Sequence, residues 1–294
     1  MLYLALSILF SSLIFVVFKL YAKYNVQTIY AIIVNYFTAF LVGLLNYKEA
    51  ISFTEIPQKS WFWGGLALGF LFIVIFNLMA ATSQKLGVSV ASVATKMSLT
   101  IPVLFGIFYY KEEVGIIELI GIVLALLAVY FTSLKKHKLK ARKWAFALPI
   151  FVFLGSGIID TSIKYFQDAH MPEAEYPLFS AIVFASAGII GVCFISFKTI
   201  KQPLKINYRN ILGGICLGIP NYFSIFFLLK ALQHPTWNSA SVFTINNVAI
   251  VMFSTLLGIL LFKEQLSKRN WFGILLAILS IVMVAVGQKI TNFV

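Results

Sequence analysis

Charged residues are scarce in this chain: they make up 11% of its 294 residues, against about 25% in a typical soluble domain. Apolar residues make up 61%, and the mean hydropathy is +0.94. A single soluble core cannot bury that much apolar surface, so the composition excludes a soluble enzyme, a nucleic-acid-binding domain and a disordered protein. The length instead accommodates roughly ten membrane spans of about 20 residues each, joined by short loops.

Side chains suited to catalysis or metal binding are also sparse. The two cysteines, Cys193 and Cys216, lie inside apolar runs and are expected to pack as small apolar residues. The three histidines fall in predicted loops, and the sequence contains no phosphate-binding glycine loop, paired-histidine zinc motif or nucleophile elbow. We therefore expect no enzyme activity, no metal, no cofactor and no built-in ATP-driven pump.

Long apolar runs separated by polar breaks predict an all-α integral membrane protein. The first run lacks the basic region and the cleavage site of a signal peptide, so it is interpreted as a span. The longest basic linker, residues 135–143, divides the chain almost in half. The ten predicted transmembrane helices cover residues 3–20, 29–46, 61–81, 88–110, 116–133, 144–166, 177–197, 210–232, 237–262 and 271–289.

Basic residues are distributed unevenly across the predicted membrane. Side A denotes the side that holds the N-terminus, and side B denotes the opposite side. Of the 23 Lys and Arg residues, sixteen fall on side B and six on side A, with Lys96 left inside a span. Of the ten acidic residues, only Glu264 falls on side B. The positive-inside rule therefore predicts that side B is cytoplasmic, where its basic loops would contact anionic lipid headgroups.

The sequence repeats itself at a shift of 152 residues. Because the repeated unit contains five helices, an odd number, the second copy must enter the membrane from the opposite side, as in inverted-repeat transporters. We predict a first repeat over residues 1–134, the linker 135–143 and a second repeat over residues 144–294. The pairs that match are Ser89-Val90 with Ser241-Val242, Gly106-Ile107 with Gly258-Ile259, Lys111-Glu112 with Lys263-Glu264, and Gly121-Ile122 with Gly273-Ile274.

Each predicted half ends its fourth helix on Lys-Glu and continues into a glycine-containing fifth helix, as Tyr110-Lys111-Glu112 with Gly121 and Phe262-Lys263-Glu264 with Gly273. This arrangement resembles the EamA-like branch of the drug/metabolite transporter superfamily, although that family usually has Gly-Glu where this chain has Lys-Glu. The resemblance implies a secondary transporter, often an exporter, of a small polar metabolite such as an amino acid, in a bacterial cytoplasmic membrane. It also implies cytoplasmic termini, the reverse of the orientation that the charges predict.

Four polar residues fall near the predicted midplane, where inverted-repeat transporters bind substrate. They are Lys96, Asn221, Asn246 and Asn247. Lys96 shares one helix face with Ser89, Ser92 and Thr100 and offers a cation to a substrate carboxylate or phosphate. The repeat places Asn247 opposite Thr95, and Val248 opposite Lys96. The alternatives are a Lys96 bonded to carbonyls of a neighbouring helix, and Asn246 and Asn247 that only form hydrogen bonds between helices.

Asp160 and Lys164 lie one turn apart in the predicted sixth span and can pair on one helix face. We interpret them as a gate near side A or a proton-coupling site, with a local structural ion pair as the alternative. A direct pairing of Asp160 with Lys96 is not expected, because straight helices would place Asp160 about 12 Å deeper. Pro102 and Pro220 are each expected to break or kink a span.

Two further features of the sequence are interpreted as structural rather than as part of a substrate site. The Lys-Glu pairs are expected to cap helix hairpins, with a role in transport as the alternative. The five tryptophans all fall at predicted span starts, as in an interfacial aromatic belt, at Trp61, Trp63, Trp144, Trp237 and Trp271.

Other functions stay open at this point. A lipid flippase could use the same scaffold, and a membrane-embedded lipid-processing enzyme would need a convergent catalytic set that the sequence does not display. The expected partners are a small-molecule substrate and membrane lipids, with no nucleic acid. The oligomeric state is open and includes a monomer.

Overall fold

The computed structural model describes residues 2–47, 54–109, 115–133, 147–170, 172, 175–199, 207–232 and 239–291. Eleven α-helices and one 3-10 helix, Ile56–Gln58, occupy these residues. The predicted linker 135–143 and the pair Lys111-Glu112 lie outside the described ranges. The α-helices are α1 Leu2–Lys23, α2 Thr28–Asn46, α3 Phe62–Leu86, α4 Val88–Met97, α5 Thr100–Tyr109, α6 Ile116–Ser133, α7 Leu148–His170, α8 Tyr176–Thr199, α9 Tyr208–Leu232, α10 Ser239–Phe262 and α11 Lys268–Thr291.

The fourth predicted span is interrupted: α4 ends at Met97 and α5 begins at Thr100. Pro102 explains the break, because it cannot donate a hydrogen bond to the carbonyl four residues earlier and its ring clashes with that group. That carbonyl belongs to Ser98, and it accepts a tighter bond from the Ile101 N–H at 2.8 Å instead. Counted as one interrupted helix, α4 and α5 give ten helical segments in the described residues, which confirms the predicted fold class.

The span is not broken at Pro220, because α9 continues from Tyr208 to Leu232, and a kink at this proline stays a prediction. The proline lies inside this helix and removes one donor, but packing holds the rest of the segment helical. Gly218, two residues earlier, has the backbone of α2 close by: a Cβ atom placed there would lie 2.7 Å from the Asn35 carbonyl. Tight packing against α2 therefore retains a helix that propensity alone would break.

Six of the described helices contain stretches long and apolar enough to cross a membrane, and shorter apolar helices cover Leu119–Phe131 and Leu148–Ile163. Large apolar side chains also cover the outside of the bundle, among them Leu126 on α6, Leu154 on α7 and Leu279 on α11. A soluble protein would bury such residues, whereas a bilayer solvates them. The protein is therefore an integral membrane protein with multiple spans.

The contacts between helices of the two halves follow a two-fold symmetry. If each helix is replaced by its counterpart in the other half, the α2–α9 contact becomes α3–α8 and the α1–α9 contact becomes α3–α7. In the same way, the α1–α10 contact becomes the contact of α4 and α5 with α7. Three further contacts, α6–α11, α2–α8 and α4–α10, are converted into themselves. This pattern is expected for two inverted five-helix repeats, with the pseudo-two-fold axis between α4 and α10 and between α2 and α8.

Tryptophan positions correct part of the aromatic-belt prediction. Trp63 and Trp271 are 72% and 52% exposed, as expected of side chains at the membrane interface. Trp61 is 0% exposed, and its indole N–H donates to Glu175 at 2.6 Å. A position at a span start did not distinguish lipid-facing from protein-facing tryptophans. Trp144 and Trp237 lie outside the described residues.

Candidate functional site

The break between α4 and α5 brings together two charged side chains from different helices. Lys96 lies in the last turn of α4, and Asp160 lies on α7, which packs against both α4 and α5. The two groups interact electrostatically, and the Ser98 hydroxyl lies 3.2 Å from Asp160 Oδ2 as a donor. The same hydroxyl lies 2.5 Å from the Thr95 carbonyl, so its single proton is divided between two acceptors.

This proximity corrects the expectation that Lys96 and Asp160 lie at different depths. The expectation assumed that the sixth span begins near residue 144, whereas α7 is described from Leu148. Asp160 then lies roughly 18 Å along α7 and Lys96 roughly 12 Å along α4, at about 1.5 Å per residue. The difference in depth is thus about 6 Å rather than about 12 Å.

Asp160 faces the interior of the bundle rather than lipid. The exposed apolar residues Ile150, Leu154 and Ile158 mark the outer face of α7. Asp160 lies on the opposite face, one turn beyond the buried Ser156, yet its side chain is exposed. Because its carboxylate accepts from the Ser98 hydroxyl at the break between α4 and α5, Asp160 faces the neighbouring helices rather than lipid.

A glycine allows α5 to approach α7 next to this carboxylate. A Cβ atom placed on Gly157 would lie 2.2 Å from Ile101 Cδ1 and 2.6 Å from Ile101 Cβ. Such distances are too short for any side chain larger than hydrogen. Gly157 thus fixes the position of the broken helix against α7, three residues before Asp160.

Lys96 also lines a pocket of about 10 Å³, room for a single water molecule, between the broken helix and the second half of the chain. Its walls come from α4, the break, α5 and α11, which places the pocket between the two repeats. The lining residues are Lys96, Met97, Leu99, Thr100, Ser280 and Ile281.

The predicted polar stripe on the fourth span faces protein. Ser89, Ser92 and Thr100 are all buried, whereas Lys96 is only half-buried. The Ser92 hydroxyl bonds the Ser89 carbonyl at 3.0 Å, and Ser89 itself donates to Glu264. Of this stripe, Lys96 and Thr100 line the pocket, and the two serines bind the helix backbone and its cap.

Asn246 and Asn247 lie in α10, which packs against both α1 and α4. Both side chains are buried. Within the described part of the chain, the Oδ1 atom of Asn246 has no hydrogen-bond partner. An unpaired buried carbonyl costs free energy, so this atom is a candidate for bonding to a substrate.

Asn221 is bonded within a separate set of residues. Its amide donates to Asn35 Oδ1 at 3.2 Å, which joins α9 to α2. One turn along α9, Ser224 accepts a bond through its carbonyl from the Ser7 hydroxyl of α1 at 2.9 Å. Asn221 therefore joins α9 of the second half to α2 of the first half, and its role in substrate binding stays a prediction.

Some polar residues in the interior carried no sequence signal beyond being polar inside an apolar run. The hydroxyl oxygens of Ser12, Tyr36 and Thr255 are buried without a hydrogen-bond partner among the described residues.

The predicted partner of Asp160 on its own helix, Lys164, has a side chain that lies outside the described residues. The Asp160–Lys164 pairing therefore stays a prediction.

An interrupted helix with an electrostatic pair, set between two inverted helical halves, is typical of a polytopic membrane transporter. The sequence profile of the EamA-like transporter family matches residues 1–134 and 142–286. The chain belongs to this family, which consists of transporters rather than enzymes, and it is therefore an EamA-family membrane transporter.

Similar proteins are bacterial. The chain is 29% identical over 282 residues to an uncharacterised protein of Haemophilus influenzae, covering 94% of each chain. It is 25% identical to a probable glucose uptake protein, GlcU, of Priestia megaterium, covering 76% of this chain and 77% of that one. It is 27% identical to the probable GlcU of Staphylococcus aureus, covering 66% of each. One crystal structure superposes with a TM-score of 0.55 over 97% of this chain and 98% of that chain at 13% identity, a likeness of fold alone.

Proposed function

We propose that the protein transports a small polar metabolite, such as an amino acid, across a bacterial cytoplasmic membrane by alternating access between its two halves. The observation that carries the proposal is the pair of Lys96 and Asp160 at the break between α4 and α5, next to a pocket between the repeats. Ionisable side chains are costly inside a membrane, and they are retained chiefly where they bind substrates or ions.

The chemistry of the pair suits a zwitterion. Lys96 supplies a cation for a carboxylate, and Asp160 supplies an anion for an ammonium group or a site for a coupling proton. The free Oδ1 of Asn246 accepts a further hydrogen bond. Lys96 and Asp160 compensate each other's charge, so a substrate that is neutral as a whole but charged at both ends can pair with each of them in place of their mutual interaction.

A sugar is the second candidate substrate. Two relatives are named as probable glucose uptake proteins, and the buried side chains Asn246, Asn247 and Tyr36 offer uncharged partners for hydroxyl groups. In that case Asp160 would serve coupling rather than substrate binding. The two candidates also differ in direction, since the family resemblance favours export and the names of the relatives favour uptake.

Transport by purified protein in liposomes tests the proposal. Uptake of labelled amino acids and glucose is measured with and without an imposed pH gradient for wild type, Lys96→Ala and a matched surface control, Lys23→Ala. We expect one class to be transported by wild type and the control, and not by Lys96→Ala. Lipid movement between leaflets in place of solute transport would instead favour a flippase, and full activity of Lys96→Ala would overturn the proposed site.

The cytoplasmic position of side B stays a prediction as well. Cysteine labelling at the linker 135–143 in intact cells decides it. Protection from an impermeant reagent would support the charge distribution, and ready labelling would support the orientation that the family resemblance implies.

A further inference from the structure

Glu264 caps the N-terminus of the helix that carries Lys96. Its Oε1 accepts the Val88 backbone N–H at 2.8 Å, and its Oε2 accepts the Ser89 hydroxyl at 3.3 Å. The first N–H groups of a helix have no partner within the helix, and a negative charge beside them is favourable. A side chain from the second half of the protein thus fixes the side-B end of α4 in the first half.

Local backbone geometry directs the Glu264 carboxylate toward α4. α10 ends at Phe262, and Lys263 adopts a left-handed conformation with φ of 52°, a common helix terminator. Two glycines leave room for the carboxylate. A Cβ atom on Gly87 would lie 2.9 Å from Oε1, and one on Gly258 would lie 2.7 Å from Oε2. Gly87, with φ of 116°, also has a conformation that other residues rarely adopt.

Lys19 completes this contact on side B. Its Nζ lies 3.8 Å from Glu264 Oε1 and donates to the Gln84 carbonyl at 3.3 Å. The distances are long for charged groups, and both side chains are partly exposed. The contact therefore joins α1, α3 and α4 to the α10–α11 connection through one strong hydrogen bond and three weaker interactions.

A second charged contact joins the halves on side A. Glu175, at the start of α8, accepts hydrogen bonds from Lys59 Nζ at 2.7 Å and from the Trp61 indole at 2.6 Å, both next to α3. Burial acts to raise the pKa of Glu175, but the bonds from Lys59 and Trp61 and the Lys59 charge hold that pKa below its usual value. Lys59 and Glu175 are therefore both charged near neutral pH.

We infer that Glu264 is a positioning residue that closes side B by holding α4, and with it Lys96, while Glu175 closes side A. The inference rests on the proposed function, because only alternating access requires each contact to open in turn. α4 has a break at Ser98 and Leu99 about which it can move when its other end is released. Release of Glu264 would expose the pocket around Lys96 to side B only.

Labelling of a buried cysteine from each side of the membrane tests this inference. The reporter is Thr100→Cys, since Thr100 lines the pocket and is buried in this structure. Cys193 and Cys216 are first replaced by alanine. Glu264→Gln removes the charge and keeps an oxygen for the Val88 N–H, Glu175→Gln removes the charge on side A, and Lys23→Gln removes an exposed charge outside both contacts as a control. An impermeant thiol reagent is applied to right-side-out and inverted vesicles.

We expect Glu264→Gln to accelerate labelling from side B and Glu175→Gln to accelerate labelling from side A, each by roughly 5- to 150-fold, the range of common coupling free energies. Lys23→Gln should change neither rate. Unchanged rates in both folded variants, or faster labelling from the same side in both, would overturn the inference. No substrate is added, so this result is independent of transport: opposite-sided opening without transport of any tested solute would contradict the proposed function alone.

Discussion

The fourth helical segment of the first half and its counterpart in the second half occupy equivalent places, but they differ in backbone and in charge. α4 and α5 are interrupted and carry Lys96, whereas α10 runs unbroken from Ser239 to Phe262 and carries Asn246 and Asn247. The repeat pairs Pro102 with Ser254 and Lys96 with Val248. The inverted symmetry therefore sets where these segments lie, and a few individual residues make one of them charged and broken.

Pro102 is the main cause of the difference in backbone. The hydroxyl of its counterpart, Ser254, bonds the Val251 carbonyl at 3.3 Å and leaves the helix of α10 intact. Pro102 instead forces the Ser98 carbonyl to bond the Ile101 N–H, and the backbone leaves the α-helix at that point. A transporter with two similar halves thus acquires one specialised half without changing its architecture.

Removing one charge of the pair should have the largest effect on transport. Asp160→Leu leaves Lys96 without its compensating charge, and because Asp160 is exposed and Lys96 is half-buried, we expect transport to be lost with a decrease in stability of only about 1 kcal/mol. The double variant Lys96→Met/Asp160→Leu removes both charges and should unfold close to wild type while transporting nothing. Thermal unfolding in detergent, paired with transport in liposomes, separates the two effects. A double variant as unstable as the single one would mean that the pair is a structural brace.

Exchanging the proline should reverse the backbone difference. Ser254→Pro places a proline inside α10 and should cost about 3 kcal/mol. Pro102→Ser restores the missing donor, and we expect α4 and α5 to join into one helix with a large loss of transport. Hydrogen exchange at residues 98–101 measures the change, since a continuous helix protects those amides. Retained transport with a continuous helix would show that the break is not needed.

The glycines of α7 should differ in their tolerance of alanine. Gly157→Ala would collide with Ile101 near the backbone, so we expect a cost of about 1–3 kcal/mol, as for other overpacked sites. Gly155 is the matched control, because its close neighbour is the flexible end of Ile75, with Ile75 Cβ 3.9 Å away. The thermal unfolding of Gly157→Ala is compared with that of Gly155→Ala. Equal losses of stability in the two variants would contradict the close approach of α5 to α7.

The asparagines should respond in opposite directions. Asn246→Leu removes a buried, unpaired carbonyl and is expected to raise stability by up to about 1 kcal/mol while lowering transport. Asn221→Leu breaks the bond to Asn35 and should lower stability by about 0.6 kcal/mol, a typical value for hydrogen bonds between helices in a bilayer. The two melting temperatures provide the measurement. Destabilisation by Asn246→Leu would mean that Asn246 has a structural partner.

Much of the fold followed from the sequence because its causes are local or repeated. Apolar runs predicted the spans, and the 152-residue shift predicted the inverted halves, since both depend on periodicity. The break at Ser98 and the continuity at Pro220 were harder to separate, because tertiary packing decides whether a proline interrupts a membrane helix. The burial of Trp61 was not predicted either, because tertiary packing also decides which side of a helix faces protein.

The site was only partly predictable. Lys96 and Asp160 were both predicted because they are ionisable groups inside spans. That prediction depends on the free-energy cost of a charge in lipid, and it needs no knowledge of the three-dimensional geometry. Their proximity was missed, because it depends on where α7 begins and on the break between α4 and α5. The contacts of Glu264 with Val88 and Lys19 join positions 176 and 245 residues apart in sequence, a relation that no local pattern encodes.

Ligand-induced stabilisation of Lys96→Ala tests the central claim most directly. Purified wild-type and Lys96→Ala proteins are heated with a panel of amino acids and sugars, and the shift in melting temperature is measured for each compound. We expect at least one compound to stabilise wild type and to leave Lys96→Ala unchanged, although both proteins fold. A Lys96→Ala protein stabilised as strongly as wild type by the same compound would contradict the assignment of Lys96 to the transport site.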